Sequence, residues 1–174
     1  MKRVLLILGI IAAVLLIAFF VLRTVTKSGS PEAIAQTNQN GLSVTVNYCQ
    51  PYKNGRTIFG GLVPYGKVWR TGANEATTIE FAQPVTIVGK PLKAGKYSLW
   101  SVPFPNGWQA IFNRETGQWG TNYNPAEDEL RVMVNTRSHS PAVERFTISF
   151  TPATGGTDMI LAWDETEAVV PIRR

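Results

Sequence analysis

The chain holds one cysteine and one histidine in 174 residues, and that scarcity removes several kinds of chemistry at once. A structural zinc site takes four sulfur or nitrogen ligands, more than these two can supply. No intramolecular disulfide can form, so Cys49 reads as a small buried hydrophobe, with an intermolecular disulfide or a reactive thiol as the alternatives. A His-dependent triad would have to use His139, in the polar stretch Arg137-Ser138-His139-Ser140-Pro141, which reads as a solvated loop. The chain has no G-x-S-x-G elbow, no phosphate-binding glycine motif and no H-E-x-x-H. No catalytic residue, metal ligand or cofactor is assigned on these grounds, and the sequence leans away from an enzyme without closing the question. Asp158, Asp164 and Glu165 have the oxygen ligands a calcium site needs, but their spacing does not demand one.

An excess of basic charge is also missing from most of the chain. The formal net charge is +5, yet Lys2, Arg3, Arg23 and Lys27 flank the N-terminal apolar segment. Setting those four aside leaves 13 basic against 12 acidic side chains. No basic cluster interleaved with aromatics remains, which argues against nucleic acid as a partner.

What is present begins with Val4 to Leu22, an unbroken apolar run of nineteen residues. As a helix it would reach about 28 Å, close to the hydrocarbon thickness of a bilayer. Arg23 follows directly and no small-x-small site lies nearby, so residues 1–23 are expected to be an uncleaved signal-anchor instead of a cleaved signal peptide. Lys2, Arg3 and the terminal amine narrowly outweigh Arg23 and Lys27 and place the N-terminus inside. The expected topology is a single-pass protein with its domain outside. Residues 24–40, rich in Ser, Thr, Asn and Gln, read as a flexible tether whose last residues have the alternative of an edge strand.

From residue 41 to 174 the period is two. Leu42, Val44, Val46 and Tyr48 alternate with Ser43, Thr45 and Asn47, as in a strand with one buried face. Similar runs at Thr57–Phe59, Val85–Val88, Tyr97–Val102, Trp108–Asn113, Leu130–Asn135, Phe146–Phe150, Met159–Trp163 and Ala168–Ile172 are separated by Gly, Asn and Pro turns. About ten short strands predict an all-β domain, a β-sandwich of jelly-roll type. The one helical piece expected is a turn from Pro125, capped by Asn124.

The richest stretch is VPYGKVWRTGANEATTIEF, Val63 to Phe81. Val68-Trp69 and Thr77–Phe81 read as strands, which places Arg70, Thr71, Asn74 and Glu75 at a strand mouth. Arg70 is a bidentate donor for an anionic group, Asn74 a reader of hydroxyls or amides, and Glu75 an acceptor. The competing reading is internal: Glu75 neutralises Arg70 as a lock, with Asn74 in a left-handed turn position. Four of the five tryptophans are expected in the core. Trp119, with Asn122 in the polar stretch QWGTNYN, is instead a candidate sugar-stacking surface. Glu75 and Glu80 qualify as a hydrolytic carboxylate pair by type only.

The run YGKVWRTGANEATTIEF, followed in order by GKPLKAGKYSLW, WQAIFN, QWG and ELRV, resembles the bacterial family catalogued as domain of unknown function 2911, over about Asn47 to Trp163. The resemblance implies an extracytoplasmic all-β domain, and with it that the membrane is the inner one and the domain periplasmic; it implies no reaction. The expected function is a membrane-anchored module binding an envelope glycan, peptide or protein. A structural or assembly domain and a carboxylate-dependent glycoside hydrolase are the alternatives.

Overall fold

The computed structural model describes residues 2–174, with side chains for all of these except Lys2, Leu5, Leu6, Leu22, Arg23, Thr24 and Thr26. Met1 and those side chains, parts of the expected anchor and tether, lie outside what is described. Helix α1 spans Lys2–Ser28. Gly29 and Pro31 follow at once, and neither continues a helix readily. Among the described residues no helix is long and apolar enough to cross a membrane.

Nine antiparallel strands follow: β1 (Glu32–Gln39), β2 (Leu42–Cys49), β3 (Thr78–Phe81), β4 (Val85–Ile87), β5 (Lys90–Leu92), β6 (Gly95–Phe104), β7 (Gly107–Asn113), β8 (Asp128–Ala153) and β9 (Gly156–Arg173). They form one sheet in the order β1-β2-β3-β6-β7-β8-β9-β4-β5. The sheet turns over through β8. Its residues 128–134 pair with β7, and residues 135–153 pair with β9. The two halves face one another across the core, where Val46, Leu99 and Phe112 of the first join Phe146, Leu161 and Val170 of the second. Tyr48 ties them together: its ring meets Phe146 edge-on at 5.8 Å, and its hydroxyl accepts from the Ile148 N–H at 3.0 Å.

The expected all-β domain is therefore present, with different strand boundaries. Two pairs of expected strands are each a single long one, β8 and β9. The stretch around His139 is extended backbone inside β8, not a loop. Arg137 explains why: both its Nε and Nη2 donate to Glu167 on β9, at 3.0 Å each. Thr57–Phe59 forms no strand, because residues 50–77 cross the end of the sheet as an irregular segment pinned by buried Ile58 and Val63. The turn at Asn124 is there, as a 3-10 helix Pro125–Glu127 whose Ala126 N–H is capped by Asn124 at 3.1 Å.

Residues 32–39 of the expected tether take the strand alternative. Ala35 and Thr37 are buried on one face of β1, and Asn40-Gly41, both at positive φ (53° and 72°), make the tight turn into β2. The C-terminus closes at the same end of the molecule. Arg174 N–H donates to Gly155 O at 3.1 Å, and its guanidinium lies against Gly41.

Candidate functional site

Trp69 fixes where the central stretch starts. It stacks on Trp163 at 5.7 Å, meets Trp108 and Phe146 edge-on, and donates from its indole to Gly72 O at 3.1 Å. The next residue, Arg70, leaves the core, and Thr71 returns to it. Thr71 is completely buried, donates to Ser101 Oγ at 3.0 Å and accepts from Thr77 Oγ1 at its carbonyl (2.7 Å). It holds this position at φ 54°, where a β-branched residue is strained. Thr71 therefore shapes the mouth from within and presents nothing to a ligand. Gly72 passes β2 so closely that a Cβ there would lie 2.9 Å from Cys49 O. Asn74 occupies the left-handed region at φ 60°, as one reading of the sequence requires.

Two regions that lie far apart along the chain meet here. Ala76 N–H donates to Gln118 O (3.1 Å) and Gly120 N–H to Asn74 O (2.9 Å), so Glu75 and Trp119 face each other across a short antiparallel bridge. Arg70 and Gly120 lock this joint, since a Cβ on Gly120 would fall 2.0 Å from Arg70 Cδ and 2.6 Å from Asn74 O. Trp119 is 46% exposed, whereas the other four tryptophans are buried. Asn122 faces solvent and closes the turn behind it: its N–H donates to Trp119 O at 2.9 Å, and its side chain accepts from Thr121.

Arg70 and Glu75 do not form the expected lock. No ion pair joins them, because the backbone between them turns over and sends them to different cavities. Glu75 lines a pocket of about 520 Å³ with Cys49, Glu32 and Lys27, where Lys27 Nζ lies 3.4 Å from its carboxylate and also pairs with Glu32. The Cys49 thiol approaches the same carboxylate at 3.9 Å. Burial pushes that thiol up. Glu80, weighed as a partner for Glu75, lies on β3 opposite Lys96 and is exposed.

Arg70 and Asn74 line a groove of about 600 Å³ together with Trp163. Of the residues lining it, Arg70, Asn74 and Trp163 each have a buried nitrogen without a hydrogen-bond partner, Nε, Nδ2 and Nε1 in turn. Each such unmet donor costs about 1–3 kcal/mol. Burial also lowers the Arg70 guanidinium. Its one protein acceptor is Gly120 O, at 3.5 Å from Nη1. Trp163 and Lys27 were invisible as site residues in the sequence. An indole in an apolar strand reads as core, and a lysine beside an apolar run reads as its flank. Asp158 and Asp164, weighed as calcium ligands, face Arg173 and Lys53, and no group of three His, Cys, Asp or Glu among the described residues is arranged to hold a metal.

A folded-over antiparallel sheet with two connections joined by the Glu75–Trp119 bridge defines the class of the domain as all-β. The chain belongs to the family described as Protein of unknown function (DUF2911), which it matches over residues 30–172. No curated protein and no solved structure matches it.

Proposed function

We propose that the protein is a ligand- or partner-binding module of the cell envelope, anchored by residues 4–22 with its N-terminus inside and its β domain outside. The observation that carries the binding reading is the groove at the joined loops. Arg70 and Asn74 keep buried donors without partners on a backbone that Thr71, Gly72 and Gly120 hold in one geometry. Structures keep such groups at a cost to stability where a ligand supplies the missing acceptor. Exposed Trp119 adds an apolar platform beside them.

Anchoring is supported by the apolar run itself and by its exposure. Ile7, Leu8, Ile11, Leu15, Ile17 and Phe20 of α1 are each at least half exposed, as side chains are that rest against lipid instead of protein. A reporter fused after Arg174 should be active only outside the cytoplasm; cytoplasmic activity overturns the orientation.

Binding is tested on the full chain in nonionic detergent, titrated with envelope glycans and short peptides at millimolar concentration and followed by tryptophan fluorescence. Saturable binding that is lost in Arg70→Ala and Trp119→Ala is the expected outcome. No response to any of these ligands counts against the reading.

A further inference from the structure

The groove holding Arg70 has an unbalanced lining. Arg56, Lys67 and Arg70 all border it, and among the described residues no aspartate or glutamate does. Its three unpartnered polar atoms are all nitrogen donors: Arg70 Nε and Asn74 Nδ2 from the loop, and Trp163 Nε1 from β9. Trp163 is only 1% exposed, and its N–H meets no acceptor within the chain. A groove whose described charged side chains are all cations, with three donors left unpartnered among its lining residues, suits a ligand that brings acceptor oxygens and negative charge.

We propose that this groove binds a phosphate group, through the N–H donors of Arg70, Asn74 and Trp163, with Lys67 and Arg56 at its mouth. Three cations without a carboxylate suit a group carrying more than one negative charge, as a phosphomonoester does at neutral pH. The mouth includes Val25, Gly29 and Ser30, at and just beyond the end of α1. Two sources present the same chemistry there: a phospholipid headgroup beside the anchor, or a soluble phosphate. The inference rests on the ligand-binding reading above and names the chemistry of its ligand.

The full chain in nonionic detergent is titrated with inorganic phosphate to about 10 mM, where even a millimolar Kd registers. In parallel, the full chain is reconstituted into vesicles with and without phosphatidic acid, and tryptophan fluorescence is read in both arms. Saturation by phosphate assigns a soluble source, and a response confined to phosphatidic acid assigns the headgroup; either supports the inference. Binding should weaken at least about tenfold in Arg70→Gln, as expected for one lost charge-assisted contact. Lys67→Glu should weaken it similarly, and because Lys67 is exposed that variant reports even if the Arg70 variant folds poorly. Absence of a response in both arms, or full binding by both variants, overturns the inference. If a neutral glycan or peptide binds where phosphate does not, the binding reading survives and the phosphate assignment falls.

Discussion

At Gly120 a methyl group has nowhere to go, since Arg70 Cδ and the Asn74 carbonyl already occupy the space. Gly120→Ala should cost about 1–3 kcal/mol in urea unfolding, the usual penalty of overpacking. It should also loosen the loop joint, detectable as faster amide exchange at Ala76. Arg70 behaves oppositely. Its guanidinium is half-buried without a carboxylate, so Arg70→Met should leave stability unchanged or raise it by up to about 2 kcal/mol, while ligand binding disappears. A loss above that size would show that Arg70 is architecture. Cys49, buried and with its thiol pushed up, should resist a thiol reagent at pH 8 in the folded chain and react once unfolded in urea. Of these three residues Arg70 and Cys49 stood out in the sequence, and Gly120 did not. The role of Gly120 depends on a neighbour fifty positions earlier, and no local pattern encodes such a contact.

Among the elements, β8 and β9 depend on a carboxylate that the strand pattern did not flag. Hydrogen bonds from Arg137 hold the Glu167 carboxyl below its usual range, with His139 adding to the effect. The folded chain therefore binds this proton less readily than the unfolded one. The stability involved is present above the unfolded value, about 4.3 for glutamate, and is lost as pH falls through the lower folded value. Because Arg137 is largely exposed, the amount should be about 1 kcal/mol or less. Glu167→Gln should flatten the acid side of the stability profile by that much, and an unchanged slope would remove Glu167 from the account. The strands themselves were legible where apolar residues alternate, as in β2. They were misread where polar residues lie in a paired strand, as at Arg137–Pro141. β1 hid for a related reason: its inward residues are Ala35 and Thr37, too small or polar to mark a period of two.

For the whole molecule, the all-β class and the family followed from the sequence, whereas the turning of one continuous sheet through β8 did not. That bend is a property of pairing partners, and β8 changes partner at Val134 without any break in its own pattern. The full chain should sediment with membranes and stay there through an alkaline carbonate wash; release by the wash would remove the anchor from the proposal. The placement of the chain ends has a mechanical consequence. Helix α1 enters β1 at Glu32, whereas Arg174 sits by the Asn40-Gly41 turn at the strand's other end. A pull between the helix and the C-terminus runs lengthwise along β1. The rungs from Glu32↔Cys49 to Gln39↔Leu42 resist it together in shear, instead of parting one by one as in a peeled zip.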